Sequence, residues 1–145
     1  MSRIEYGSCF CGAIRAEVTG KPFWINWDHD RDCRKALGSP MTIWIGYKAD
    51  QITYVAGRPK VFSKTRGVLR SFCADCGTSI AYQDAGLPGE TYLCIGFMDD
   101  PVRFEPVAHG FYEERLPFVD LRDDLPREAR YTRPRQRTFG DPRDR

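Results

Sequence analysis

Two pairs of closely spaced cysteines constrain the folding of this chain more than any other feature. Cys9 and Cys11 lie near the start, and Cys73 and Cys76 follow much later, directly before Gly77. Four thiolates brought together tetrahedrally form a closed zinc site, which stabilises a fold and leaves no open position for chemistry. The long gap between the pairs predicts a metal that joins two distant parts of the chain.

Disulfide bonds, unrelated buried thiols and a redox pair are the alternatives to metal binding. A disulfide within Cys9-Phe10-Cys11 would be badly strained, and the N-terminal residues have no apolar core of a signal peptide. Six cysteines without a secretory signal are typical of a reducing compartment, where they more often bind metal. The spacing therefore favours zinc in a cytoplasmic protein, although Cys73 and Cys76 alone would also fit a redox pair.

The size and charge of the chain argue against several classes of protein. Its 145 residues are enough for one domain with a hydrophobic core. A net charge of +2 is too small to indicate nucleic acid or an anionic membrane as a partner. No apolar stretch approaches the length of a membrane span. We therefore expect a globular protein with no membrane partner.

Short alternating or β-branched segments predict a mainly β fold. The predicted strands cover residues 13–18, 41–47, 52–55, 61–62, 68–72, 80–82 and 92–97. Glycine, proline and aspartate residues mark the turns between them. One short helix is predicted over residues 32–37, because Gly38 and Pro40 follow as stop signals.

The chain from Arg122 onwards differs in composition from the rest. It contains eight arginines, five acidic residues and three prolines, with a net charge of +3. Such a segment is typical of a solvated tail that is loosely ordered or packed across the surface. The alternative is an arm that contacts a partner chain or nucleic acid. We divide the chain into a domain at residues 1–125 and a charged, Arg/Pro-rich tail at residues 126–145, and we expect the tail to be dispensable for the core.

A second group of candidate ligands lies between the cysteine pairs. Asp28, Asp30 and Cys33 fall on a loop that leads into the predicted helix, where they can converge on one side. Carboxylates and thiolates both bind divalent metals. The alternative is that the aspartates cap exposed amides at the helix N-terminus, and the spacing alone favours this alternative.

Four short motifs in a fixed order mark the chain, together with one histidine. They are residues 7–15 (GSCFCGAIR), 33–40 (CRKALGSP), 72–78 (FCADCGT) and 96–101 (GFMDDP), followed by His109. Together they resemble the glutathione-dependent formaldehyde-activating enzyme family, which includes the centromere protein V relatives. The resemblance spans residues 5–125 and implies a β-tent fold of several coiled antiparallel sheets. It also implies a structural zinc, held by Cys9, Cys11, Cys73 and Cys76.

The chain departs from the family pattern at the second candidate site. The pattern has a catalytic zinc on a Cys-His-Cys-x-x-Cys stretch, whereas residues 28–33 here read DHDRDC. Only Cys33 is kept, and Asp28 and Asp30 stand where the family has thiolates, which hold zinc better than carboxylates do. A second metal ion is therefore absent, weakly bound or different. His29 alternates with the two aspartates, so we expect it to point away from the site and to be structural.

The resemblance implies a carbon–sulfur lyase of the S-(hydroxymethyl)glutathione synthase type, which acts on a glutathione or other thiol adduct. Asp28, Asp30 and Cys33 are then the catalytic candidates, either as ligands of a metal or with Cys33 as a lone thiolate. The candidates for substrate binding are Arg34, Lys35 and His109. The alternatives are plain surface charges for the two basic residues and a core hydrogen bond for the histidine.

Two non-catalytic functions are open on the same sequence. The first is a zinc-stabilised binding domain that has lost its catalytic metal, and the second is a nucleic-acid-binding zinc module. The second function has less support. Subtracting the tail's +3 from the total net charge of +2 leaves −1 for the rest of the chain. That part also contains no basic–aromatic strip of the kind that binds nucleic acid. The sequence leaves open whether the protein is an enzyme, and it is compatible with a homodimer.

Overall fold

Most segments with alternating or β-branched residues form strands, as the sequence predicts. A computed structural model describes residues 3–136, which form ten strands and one α-helix. The strands are β1 (Ile4–Ser8), β2 (Arg15–Thr19), β3 (Trp24–Asp28), β4 (Thr42–Lys48), β5 (Ile52–Ala56), β6 (Lys60–Phe62), β7 (Val68–Phe72), β8 (Ser79–Asp84), β9 (Glu90–Cys94) and β10 (His109–Gly110). The helix α1 spans Arg31–Leu37, and short 3-10 helices span Ala49–Gln51, Ile95–Phe97, Pro101–Arg103 and Tyr112–Glu114.

The strands pair into two sheets. β1, β2 and β5 form a three-stranded antiparallel sheet with β2 in the centre. The other seven strands form a larger sheet in the order β10-β3-β4-β9-β8-β7-β6. Its pairs are antiparallel except that β10 adds parallel to β3. The predicted fold class, mainly β with one short helix, is therefore confirmed.

The hydrophobic core draws side chains from both sheets. Ile45 in β4 and Leu93 in β9 are fully buried, and they share one cluster with Val18 of the smaller sheet. Burial of such an aliphatic side chain contributes about 1.5–3 kcal/mol relative to exposure. Gly7 lets β1 approach the segment after β9, since a Cβ atom at this position would lie 2.5 Å from the ring of Phe97.

The helix α1 begins and ends at residues that suit its two ends. Asp30 is the N-cap, and its carboxylate accepts the backbone N–H of Asp32 over 3.1 Å. Gly38 ends the helix at φ +67°, a left-handed conformation that glycine adopts without a steric penalty. The structure extends the predicted helix by one residue, Arg31. None of the helices in residues 3–136 has the length and apolar character that a membrane span requires.

Three strands are missing from the sequence prediction, namely β1, β3 and the two-residue β10, and one predicted strand is too long. β1 contains Gly7, and β3 contains Asn26 and Asp28, all of which are poor β formers. Pairing with their neighbours in the sheets overrides this local preference. The strand predicted over residues 92–97 ends at Cys94, and the next three residues form a 3-10 helix.

The described part of the predicted tail packs against the larger sheet. Gln136 donates its backbone N–H to the carbonyl of Gly86 over 2.8 Å. The guanidinium of Arg135 pairs with the carboxylate of Asp84 over 2.8 Å, and these side chains are only 5% and 0% exposed. Because the pair of Arg135 and Asp84 is buried, deletion of the whole tail should destabilise the protein. Residues 137–145 of the predicted tail lie outside the described residues, and the domain boundary at residue 125 stays a prediction.

Candidate functional site

The two cysteine pairs lie together in space. Cys9 and Cys11 follow β1, while Cys73 and Cys76 follow β7, so the cluster joins the smaller sheet to the larger one. The thiol sulfurs of Cys9 and Cys11 are 3.6 Å apart, and those of Cys11 and Cys73 are 3.8 Å apart. All four sulfurs lie within 4.8 Å of one another. The sequence alone predicts this meeting of the two pairs.

Tight turns present these thiols to a common centre. Gly12 donates its N–H to the carbonyl of Cys9 over 2.9 Å, and Gly77 donates to the carbonyl of Cys73 over 2.8 Å. Both glycines have positive φ, +77° and +78°, which a side chain would disfavour. The Thr78 hydroxyl lies 3.2 Å from the sulfur of Cys76. Hydrogen bonds from the Thr78 side chain and backbone lower the pKa of Cys76 to about 5, so this thiol favours the thiolate form that binds metals.

The distances in this cluster fit a tetrahedral metal site. Four sulfurs at about 2.3 Å from a central ion stand about 3.8 Å apart in a tetrahedron, close to the two separations in the structure. A disulfide requires two sulfurs within about 2.05 Å, and all six cysteines of the chain are free. The cluster can therefore hold a metal ion through four thiolates, with no position left for a substrate.

The second predicted group also comes together, at the junction between β3 and α1. The ligand atoms of Asp28, Asp30 and Cys33 lie within 4.8 Å of one another. Asp28 is buried, and its two carboxylate oxygens accept hydrogen bonds from the backbone N–H of Asp30 over 2.9 Å and from the indole N–H of Trp44 over 3.0 Å. Burial and the Asp30 carboxylate raise the pKa of Asp28 to about 6. Burial and the two carboxylates also raise the pKa of the Cys33 thiol.

A cavity of about 290 Å³ opens over this acidic group. Its walls come from the β3–α1 junction, from strands β4 and β7–β10 of the larger sheet, and from the segment after β10. Besides the three predicted ligands, its lining includes Arg31, Trp44, Arg70, Tyr82, Glu114, Arg130, Tyr131, Thr132 and Arg133. The sequence prediction missed these residues, because no local motif shows which distant side chains a fold brings to one cavity.

The wall at residues 130–133 is fixed to the sheet by polar contacts. The indole N–H of Trp24 donates to the Thr132 hydroxyl over 3.0 Å. Arg133 forms an ion pair with Glu90 over 2.7 Å, and its guanidinium stacks 4.7 Å from the ring centre of Phe23. The predicted tail therefore supplies part of the candidate site.

The three predicted substrate-binding residues lie elsewhere. The guanidinium of Arg34 donates hydrogen bonds to the carbonyls of His29 and Glu114. Lys35 is exposed and lines a neighbouring pocket beside Phe62. His109 has no exposed surface, and none of the three lines the cavity over Asp28. This geometry favours a core role for His109 and a surface charge for Lys35, whereas Arg34 links α1 to the Tyr112–Glu114 segment through backbone carbonyls.

A buried histidine pair connects the β3–α1 junction to the segment after β10. Nε2 of His29 lies 2.9 Å from Nδ1 of His109, whose Nε2 lies 2.9 Å from the carboxylate of Asp123. Arg127 pairs with the same carboxylate over 2.9 Å. Burial, with His109 and nearby arginines, lowers the pKa of His29 to about 4. His29 is therefore a neutral structural residue near pH 7, directed away from the cavity as the sequence predicts.

Comparisons with known proteins agree with this description. Residues 5–114 match the model of the family described as glutathione-dependent formaldehyde-activating enzyme. A crystal structure of a protein from Rhodobacter sphaeroides is similar with a TM-score of 0.55 and 20% identity, covering 85% of this chain and 99% of that one. At this identity, the similarity supports a shared fold alone. No curated protein matches the chain.

Proposed function

The chain belongs to the glutathione-dependent formaldehyde-activating enzyme family, because the family model matches residues 5–114 of its 145 residues, and we propose that it is a carbon–sulfur lyase. Its proposed substrate is a glutathione adduct or another thiol adduct of formaldehyde. The cavity over Asp28, Asp30 and Cys33 carries the proposal, since these three residues lie within the matched residues and the cavity collects charged groups around a small space. Concave sites with a few convergent polar groups are typical of small-molecule binding.

We propose zinc as the metal of the four-cysteine cluster. When bound, zinc supplies structural stability there, because a closed tetrathiolate site has no open position. Cys9, Cys11, Cys73 and Cys76 are the proposed ligands. The resemblance further implies a β-tent arrangement around this zinc, and the free thiols are in keeping with a cytoplasmic location.

The proposed reaction forms or breaks one carbon–sulfur bond. In the forward direction, the thiol sulfur bonds to the carbon of formaldehyde, the C=O double bond becomes a single bond, and the thiol proton ends on that oxygen. The reverse reaction returns the thiol and formaldehyde, so no oxidant or reductant is needed. We propose that the carboxylates of Asp28 and Asp30 accept the thiol proton and return it to the oxygen.

A substrate that contains glutathione brings carboxylates that need cationic partners. The sequence prediction assigned this role to Arg34 and Lys35, which do not line the cavity. Arg31 does line it and is exposed. We therefore propose that Arg31 binds a substrate carboxylate, because a guanidinium presents two parallel donors that match this group.

A non-catalytic binding domain is the second candidate function. Carboxylates replace two thiolates of the family pattern, and this change favours loss of the chemistry with retention of the cavity. Such a protein would keep the zinc cluster and bind a thiol adduct without converting it. A nucleic-acid-binding module has no support of this kind.

Exchange between glutathione, ¹³C-formaldehyde and their adduct, followed by NMR, distinguishes these functions. The lyase should accelerate exchange above the spontaneous rate, and Asp28→Asn should remove most of the acceleration, about 100-fold or more. Asp50→Asn, on an exposed 3-10 helix, is the matched control and should have no effect. Wild-type protein that is folded and zinc-loaded but gives no acceleration would refute the lyase, and adduct binding by calorimetry would then support the binding domain.

A further inference from the structure

The guanidinium of Arg70 lies against Cys33 in the cavity. Its Nη1 and Nη2 atoms are 3.5 and 3.7 Å from the sulfur of Cys33. Arg70 is in β7, directly opposite Tyr82 in β8, and its guanidinium lies 5.1 Å from the centre of the Tyr82 ring. Strand pairing and the cation–π contact therefore hold the positive charge in place.

The three potential ligands already have donors from the protein. Both carboxylate oxygens of Asp28 accept hydrogen bonds, and Asp30 caps α1 through its own carboxylate. The sulfur of Cys33 faces the two guanidinium nitrogens. Each group that would bind a metal ion is thus satisfied by an N–H group of the protein.

Distance and charge lead to opposite conclusions about a metal at this site. The ligand atoms of Asp28, Asp30 and Cys33 are close enough together for one ion. A divalent ion bound to the Cys33 sulfur, however, would stand beside the fixed charge of Arg70. Two positive centres about 4–5 Å apart repel strongly in a partly buried site. The charge has more weight, because repulsion by Arg70 acts on any divalent ion at the Cys33 sulfur, whereas the spacing shows only that an ion would fit.

We propose that Arg70 supplies the positive charge of this site in place of a second metal ion. The protein then binds one metal ion per chain, at the four-cysteine cluster. Cys33 is paired with a guanidinium, and the cavity offers fixed N–H donors to an anionic or carbonyl oxygen where a metal would offer a Lewis acid. This inference does not depend on the lyase reaction, since it concerns only which cation the site contains.

Metal content and Co²⁺ titration test the proposal directly. Protein purified without added metal should contain one zinc per chain, measured by elemental analysis. A second Co²⁺ ion ligated by Cys33 would add a sulfur-to-cobalt charge-transfer band to the absorption spectrum. Titration of the wild-type protein with Co²⁺ should show no such band. Arg70→Gln should bind a second Co²⁺ at least tenfold more tightly than wild type, and Cys33→Ser in that background should remove the band.

Two further variants separate charge from general effects of mutation. Arg70→Lys keeps the positive charge and should stay at one ion, and Arg66→Gln, an exposed arginine in the preceding turn, should behave as wild type. Two ions per wild-type chain, with a Cys33-dependent band, would overturn the proposal without any variant. A folded Arg70→Gln protein that binds only one ion per chain would overturn the proposal as well. Both readouts are independent of activity, so failure of the lyase proposal would not affect them.

Discussion

The ion pair between Arg135 and Asp84 should make the C-terminal segment a major contributor to stability. Nε and Nη2 of Arg135 donate to the two carboxylate oxygens of Asp84 over 2.9 and 2.8 Å, in a nearly solvent-free position. Removing one partner of such a buried pair typically costs about 3–5 kcal/mol, because it leaves a charge without its counter-ion. In Arg135→Leu, Asp84 would keep its hydrogen bonds from the Tyr82 hydroxyl and the Gly86 N–H, both 2.9 Å. We therefore expect the lower end, about 3 kcal/mol.

This free energy corresponds to a large change in melting temperature. The unfolding entropy is about 2.1 cal/mol/K per residue, which gives about 0.3 kcal/mol/K for a chain of 145 residues. A loss of about 3 kcal/mol then lowers Tm by about 10 °C. Calorimetry of zinc-loaded wild type and Arg135→Leu measures this shift. Arg122→Leu, an exposed arginine earlier in the same segment, is the matched control and should shift Tm by less than about 2 °C.

The pairing itself is tested by adding Asp84→Asn to both backgrounds. Because this change removes the carboxylate charge with which Arg135 pairs, the two substitutions together should cost clearly less than the sum of the single changes. A shift below about 3 °C for Arg135→Leu, roughly 1 kcal/mol, would refute the reasoning. The sequence-based expectation that the tail is dispensable would then hold after all.

Two other predictions concern the metal cluster and the histidine pair. Cys73→Ser should abolish zinc retention and give unfolded or insoluble protein, since apparent zinc binding contributes about 10–16 kcal/mol to folding in such sites. Cys94→Ser, at a cysteine outside the cluster, is the control. A well-folded, metal-free Cys73→Ser protein would contradict the assignment. The pKa of His29 falls from its ordinary value of 6.5 to about 4 in the folded protein, so the unfolded chain binds more protons between these pH values. Stability from this group is complete above pH 6.5 and is lost as the pH falls towards 4, by about 3 kcal/mol at 1.36 kcal/mol per pH unit. Urea unfolding at pH 7 and pH 4.5 should therefore show a smaller acid loss for His29→Gln than for wild type, and equal losses would exclude His29 as the cause.

Local sequence signals predict much of this fold because they act within a few residues. The β-branched and aromatic run over residues 41–47 forms β4, within one residue at each end. Gly38 and Pro40 locate the end of α1 in the same way. The sequence does not predict β3. Its residue Asn26 is buried by pairing with β4, and no local pattern encodes that pairing.

The candidate site also contains residues that the local sequence predicts and residues that it does not. Cys9, Cys11, Cys73 and Cys76 can be grouped from spacing, because metal ligation leaves a recognisable pattern. Arg70 carries no such pattern, since it becomes part of the cavity only when β7 pairs with β8. The cavity residues at 130–133 are even harder to predict from sequence, because their composition matches that of a solvated tail.

The wall of the cavity at residues 130–133 has a consequence for the order of events during translation. The ribosome synthesises the four cysteines and every strand of the larger sheet before it reaches this segment. A nascent chain that ends before residue 130 therefore contains all four cysteines of the metal cluster but lacks one wall of the cavity. Residues 130–133 then complete that side. The cavity is therefore complete only after its last wall, at residues 130–133, has been synthesised.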